Sequence, residues 1–206
     1  MMHRLHVARL TAIALAACII VAGGCTERDA ASVAADTEKP QDVVETAKQV
    51  VAAMKAKDGA GLAEFVHRER GVRFSPCAFV DVGSDRVLSR ADVRRLREDH
   101  SVYSWGHAEG TGDPIMLTPA GYFERFVMDR DFTAAASVTV NDYQTRGTTH
   151  SNAAAVYTNG TSVEFFLEPS EGHGDPAFDW RALRLVLENQ DGSWQLIAVI
   201  HDEWTA

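Results

Sequence analysis

The chain is poor in cysteine and in positive charge. Of its 206 residues 3 are cysteine, and Cys18 and Cys25 both fall in the opening stretch, leaving Cys77 alone in the rest of the chain. An oxidising compartment therefore offers the body of the chain no intramolecular disulfide, and stability must come from a packed core. Cys77 follows Pro76 and reads as a small buried apolar residue rather than a reactive thiol. Lys and Arg number 20 against 29 Asp and Glu, a net charge of −9. Without residues 1–24, which hold Arg4 and Arg9 but no acid, 18 basic residues face 29 acids and the charge is −11. Such a surface repels phosphate backbones, so no nucleic acid is expected as a partner, and anionic lipid headgroups find no basic patch. A nucleophile elbow, a zinc-protease helix and a phosphate-cradling glycine loop are also missing.

The opening MMHRLHVARLTAIALAACIIVAGGC has early arginines, an apolar run from Leu10 to Ala22 and small residues before Cys25. That order is a secretory signal peptide, with an apolar run too short for a spanning helix. V-A-G-G-C resembles the lipobox of bacterial lipoproteins, which implies acylation of Cys25 and cleavage just before it. L-A-A-C at Cys18 has the preferred Leu, but it leaves a short apolar region after Arg9 and puts Ile19-Ile20-Val21 at the new N-terminus. Cys25 is followed by polar Thr26-Glu27-Arg28-Asp29, which suits a tether leaving a bilayer, and is preferred. A cleaved signal without lipid is the alternative. The expected organisation is a lipoprotein signal peptide over 1–24, a flexible tether over 25–40 and a single domain over 41–206. The acylated Cys25 makes the lipid bilayer a partner. Thr26 is not the Asp that favours inner-membrane retention, so the expected place is the cell envelope, lipid-anchored at the outer membrane.

Val43, Val44, Ala47, Val50, Val51 and Met54 recur at helical spacing until Asp58-Gly59, and a shorter helix follows with Leu62, Phe65 and Val66 on one side. Ser89 with Asp92 predicts a capping box, with Val93 and Leu96 as its apolar contacts and Arg90, Arg94, Arg95 and Arg97 as a solvated charged face rather than an anion site. Thr118-Pro119 predicts another helix start, burying Tyr122, Phe123, Phe126 and Val127. Then the period changes: Ser137–Val140, Ala153–Thr158 and Ser162–Leu167 read as strands, the last two joined through Asn159-Gly160 by a type I′ turn.

Trp180 to Thr205 predicts a second hairpin around Asp191-Gly192. A type I turn followed by a bulge would set Leu185 opposite Ile197, Leu183 opposite Val199, Arg181 opposite His201 and Trp180 opposite Asp202. Trp194 to Ile200 is apolar throughout, which predicts a central strand buried on both faces, with Ile197 and Val199 on one side and Leu196, Ala198 and Ile200 on the other. Helices first and an antiparallel meander after them predict an α+β domain, with N-terminal helices on a curved antiparallel sheet.

VVETAKQVVAAMKAKDGAGLAEFVH resembles the first two helices of NTF2-like domains, and the C-terminal hairpin resembles the final strand pair of that cone-shaped fold. HRERGVRFSP (67–76), YSWGHAEGTGDPIMLT (103–118) and RLVLENQDGSWQLIAVIHDEWT (184–205) together resemble a group of uncharacterised bacterial secreted proteins and lipoproteins. The resemblance implies a fold and no activity, because the cone hosts enzymes, ligand binders and structural dimers alike.

Candidate site residues come from the side-chain chemistry. His201 and Asp202 are adjacent in a strand, so they point to opposite faces and cannot form a dyad; closing the strand end, with Trp204 plugging the core, is the simpler role. Arg184 amid Ala182, Val186 and Ala198 needs a carboxylate, Glu188 or Glu164, or an anionic ligand. Trp105, with His107, Glu109 and Asp113 among glycines, makes 103–118 the candidate binding lip. His67 and Arg73 are candidates for the cavity mouth, with loop packing as the simpler role, and Tyr122 for a proton donor. Neither His107/Glu109/Asp113 nor Glu171/His173/Asp175 has an established ligand spacing, so no metal or other cofactor is expected. Two functions follow: a non-enzymatic tethered domain binding a small molecule or an envelope protein, or a cavity hydrolase, isomerase or dehydratase with His201 or Asp202 as base. A homodimer through one face of the last strand is a further expectation.

Overall fold

Asp42 opens the first helix, α1 (Val43–Lys55), by accepting the Val44 N–H at 2.8 Å. The apolar spacing turns Ala47, Val50, Val51 and Met54 to one buried side. Lys57 takes a positive φ of 53°, ending the turn, and Asp58 caps α2 (Gly59–Phe65) through the Gly61 N–H. The Ser89–Asp92 capping box starts α3 (Arg90–Arg94), which buries Val93 and is followed by buried Leu96. Thr118 caps α4 (Pro119–Tyr122), whose helical path continues as a π-turn over Phe123–Val127. The computed structural model describes residues 42–146, 150–169 and 178–205, all within one unit, Glu38–Ala206. Cys18, Cys25, the signal and tether segments up to residue 41, and the Glu171/His173/Asp175 group lie outside the described residues. Among the described residues no helix is long and apolar enough to cross a membrane.

The fold is α+β, with a mixed sheet in place of the expected antiparallel one. Strands β1 (Val72–Ser75), β2 (Arg86–Leu88), β5 (Ser137–Val140), β6 (Thr161–Leu167), β7 (Arg181–Gln190) and β8 (Ser193–Glu203) stand in the order β2-β1-β8-β7-β6-β5. All neighbours are antiparallel except β1 and β8, which pair parallel with Phe74 beside Val199. At 4 and 3 residues, β1 and β2 are too short to display a period-two pattern. β7 and β8 occupy the centre, and both are buried along most of their length on both faces. One face feeds the main core, where Leu183, Leu185, Leu187, Leu196 and Val199 join the buried side of α1; the other feeds a smaller core of Val80, Ala153, Val186, Ile197, Ala198 and Ile200.

The hairpin's register differs from expectation. Gln190 pairs with Ser193 across a two-residue turn, Asp191 and Gly192, both at positive φ (52° and 86°). Positive φ at both central residues is the type I′ signature, so the bulge leaves the turn and sits further along. It falls at Ile197, between the Leu187–Leu196 and Val186–Ala198 pairs. That extra residue moves Leu196 to the main core and Ile197 to the smaller one, reversing their expected sides. Beyond it Leu185 faces Val199, Leu183 faces His201, Ala182 faces Asp202 and Arg181 faces Glu203.

Ala153–Thr158 is a further correction. The chain there forms the short helix α5 (Ala153–Val156), so Asn159-Gly160 links a helix to β6 and is no hairpin turn. Ala153-Ala154-Ala155 has the strongest intrinsic helix preference, which outweighed the apolar run. Gly160 is required for packing: a Cβ there would lie 2.5 Å from Val186 Cγ1. Gly160→Ala should lower stability in urea by about 1–3 kcal/mol. Val186→Ala removes the opposing methyl and should cost less in that background than in the parent; equal costs in both refute the contact.

Candidate functional site

His201 and Asp202 lie on opposite faces of β8, and each anchors a separate polar cluster. On the main-core side His201 is 1% exposed, with the Phe126 ring edge-on at 5.7 Å. Its Nδ1 is 4.0 Å from Asp129 Oδ1 and its Nε2 3.6 Å from Glu203 Oε2. Arg181 donates from Nε to Asp129 Oδ2 at 2.9 Å and lies 3.1 Å from Glu203 Oε2, while Arg125 donates to Glu203 Oε1 at 2.5 Å. Arg181 and His201 thus share two carboxylates instead of facing each other across the strands. Burial pushes the Glu203 carboxyl up, but His201 and Arg125 more than offset it and hold it at about 2. At 3.6 Å the His201 contact is too long for a hydrogen bond, and the Arg125 bond is the firmer.

His201, Asp129 and Glu203 place one ligand atom each within 4.8 Å of the others, the only such metal-capable group among the described residues. Two guanidiniums already balance the two carboxylates, so a divalent cation would add uncompensated buried charge. The cluster is an ion-pair network joining the π-turn to the end of β8. Glu203 was detectable by register: two positions past His201, it shares that residue's face. Asp129, after the Phe126-Val127 pair, carried no sequence signal.

Arg184 occupies the other face, fully buried, opposite Ile200. Glu164 on β6, its register partner, pairs with the guanidinium; Ser151 Oγ accepts a further hydrogen bond at 3.0 Å, and Arg146 donates to Glu164 Oε1 at 2.7 Å. Of the two carboxylates expected as partners, Glu164 is the one; Glu188 pairs with Arg70. Asp202 lies on this same face, 4% exposed, and burial pushes its carboxyl up to about 7 against the opposing pull of Arg184.

Most of the remaining candidates are held in packing and local hydrogen bonds, while His107 and Glu109 border a cavity of about 140 Å³. Residues 103–118 form a hairpin, β3 (Tyr103–His107) with β4 (Pro114–Leu117), rather than an open lip. Trp105 is fully buried, stacked on Tyr122 at 4.1 Å and donating from Nε1 to the Leu117 carbonyl at 2.9 Å. Its Cα neighbour Gly106, at φ +110°, leaves room for Asp85, whose Oδ1 a Cβ would approach to 2.8 Å. Asp85, which no sequence pattern flagged, is raised to about 6 by burial despite a 2.6 Å hydrogen bond from Ser75. Tyr122 is wholly buried and its hydroxyl is held well above the usual phenol range, so it is a packing residue and a poor proton donor. His67 is buried, and its Nδ1 accepts the Glu69 and Arg70 N–H groups, closing a turn. Arg73 donates to the Val82 and Asp85 carbonyls and also lines a cavity of about 230 Å³ with Tyr157 and Ile197. Cys77 is half-buried, its thiol pushed up to about 12 mainly by burial, which disfavours the thiolate. Trp204 packs on Phe178 at 4.2 Å at the chain's end and plugs no core.

The largest of the three cavities described, about 490 Å³, is a cleft between the α1–α2 corner and the α4 π-turn. Met54, Leu62, Leu96, Phe123 and Met128 form its apolar walls. Its charged rim is largely self-neutralised: Lys55 pairs with Asp131 at 2.8 Å and Lys57 with Glu124 at 3.3 Å. Asp129 reaches its edge, and Glu203 lines a smaller cavity of about 140 Å³. Neither His201, Asp202 nor Arg184 lines any of the three.

Two outcomes follow from the Arg184 face. Glu164→Gln strands a buried guanidinium and should cost about 3 kcal/mol in urea denaturation, against a near-neutral effect for exposed Glu69→Gln. Asp202 has a folded value above its ordinary 3.8, so its contribution is full below that value and is lost as pH rises through about 7. Asp85 acts in the same direction, so the comparison must be with the parent. Asp202→Asn should reduce the parent's loss of stability between about pH 4 and about pH 8 by roughly 2 kcal/mol; an unchanged pH profile refutes the assignment.

No family model matches the chain, and no curated protein does. Among solved structures it is similar to a DUF4783 family protein from Bacteroides ovatus, at 10% identity over 77% of this chain and 94% of that one, with a TM-score of 0.28. Similarity at that level carries no argument about fold or function.

Proposed function

We propose that this chain is an envelope lipoprotein, tethered at the outer membrane through acylated Cys25, whose NTF2-like domain of helices over a curved sheet binds a small molecule without converting it. V-A-G-G-C and the polar segment after it support the anchor, and the resemblance of residues 43–67 and of the C-terminal hairpin supports the fold. The observation that carries the binding reading is the apolar cleft of about 490 Å³, within the usual size range for small-molecule sites. Its concavity suits a small molecule better than an envelope protein or a second copy. Catalysis needs an acid or base within reach of the bound substrate; the carboxylates on this rim are all engaged in ion pairs or a helix cap, and Arg97 is too basic to exchange a proton. The cavity-enzyme reading draws on one observation, the Asp202 carboxyl at about 7, and needs substrate access to the Arg184 face of the sheet.

Two measurements test the proposal. Alkynyl-palmitate labelling in a bacterial host should mark the parent and Cys18→Ser but not Cys25→Ser; labelling lost only in Cys18→Ser reverses the choice of cysteine. Solvent extraction of the purified full chain followed by mass spectrometry should yield a bound apolar molecule. Ala120→Trp, an exposed position on the cleft wall, should lose that molecule with an unchanged circular dichroism spectrum. Retrieval of nothing from either chain, together with turnover in a hydrolase and isomerase panel, overturns the binding reading.

A further inference from the structure

We infer that the cleft's ligand class is an aliphatic monocarboxylate, held by its chain against the apolar walls and by its carboxylate at Arg97. This rests on the cleft being a binding site and adds what the site selects. Each of the other charged groups on the rim is already engaged. Lys55 and Lys57 hold Asp131 and Glu124, and Asp129 accepts from Arg181. Asp58 accepts the Gly61 N–H as the cap of α2, and Arg130 pairs with Asp179. Arg97 lines the same cleft next to the buried wall residue Leu96, is exposed, and among the described residues has no ion pair or side-chain hydrogen bond.

The contrast with its neighbours makes the point sharper. The other arginines of the segment are committed: Arg90 to the Val66 and Glu64 carbonyls, Arg94 to the Glu64 carboxylate and Arg95, at 3.8 Å, to Asp92. A run of arginines that looks like one solvated face therefore resolves into groups bracing α2 and α3 and a single uncommitted cation at the cleft. One positive charge beside an apolar trough complements a molecule with an apolar body and one anionic end. A guanidinium matches a carboxylate through paired N–H donors, geometry that an alcohol or a quaternary amine cannot use. Because Arg97 is solvated, the charge contributes selectivity more than affinity, and the chain supplies most of the binding.

The test uses the full chain in phosphatidylcholine nanodiscs, with empty nanodiscs subtracted, titrated calorimetrically with decanoate, decanol and decyltrimethylammonium. The parent should bind decanoate about fivefold more tightly than decanol, the scale of one exposed ion pair, with the quaternary amine weakest. The margin should shrink as salt is raised. Arg97→Gln should abolish the preference and leave decanol affinity unchanged. Equal binding of decanoate and decanol by the parent overturns the carboxylate class and leaves the cleft reading standing; a preference that survives in Arg97→Gln overturns the assignment to Arg97. If no probe binds and Ala120→Trp changes nothing, the cleft reading itself falls.

Discussion

Everything in this fold depends on the pairing of β7 with β8, because both strands are buried on both faces. A strand with one wet face tolerates a register error at the cost of exposing some apolar groups. Here a one-residue slip would exchange the contents of two cores and carry Arg184 into the main one. The type I′ turn and the bulge at Ile197 pin that register from two places. Between them the bulge hands one large side chain to each core, which is how a continuous apolar run serves two packing surfaces.

The polar groups on these strands follow from the same constraint. A central pair with no solvent-facing side must meet its charges internally, so each face carries its own ion-pair cluster, although Arg184 Nε and both His201 ring nitrogens are left without a hydrogen-bond partner. Arg184, Glu164, Ser151 and Arg146 form one; Arg181, Asp129, Glu203, Arg125 and His201 form the other. Burial with different compensation explains why the neighbouring carboxyls of Asp202 and Glu203 are shifted in opposite directions. Glu203 has guanidiniums against it, whereas Asp202 has mainly the loss of water. The largest cleft described lies where the helices meet, with only Asp129 of either cluster at its edge.

Much of the architecture could be read from local chemistry. The caps at Ser89 and Thr118, the stop at Asp58-Gly59 and the helical face of α1 involve residues three or four apart, and such signals survive any tertiary context. Although the choice of Glu164 over Glu188 was settled only by the strand register, that Arg184 needed a buried carboxylate was also legible. Long-range geometry was not. The parallel β1–β8 pairing joins segments far apart in sequence, and the identity of Trp105 gave no hint whether its indole would line a lip or stack on Tyr122. The cleft escaped for a related reason, since its walls come from α1, α2, α4 and the segment after α3, each an ordinary amphipathic stretch by itself.

The β1–β8 pairing has a consequence for how the molecule comes into being. Val72–Ser75 lies early in the domain, and its partner strand is the last element of the chain. Until β7 and β8 have formed, β1 and β2 have no template to join and β6 and β5 have no centre to extend. Closing that contact spans most of the domain, from Arg73 to Ala198, which raises contact order and slows folding. The β1–β8 contact therefore carries a large loop-closure cost, and the domain is expected to refold slowly for its size.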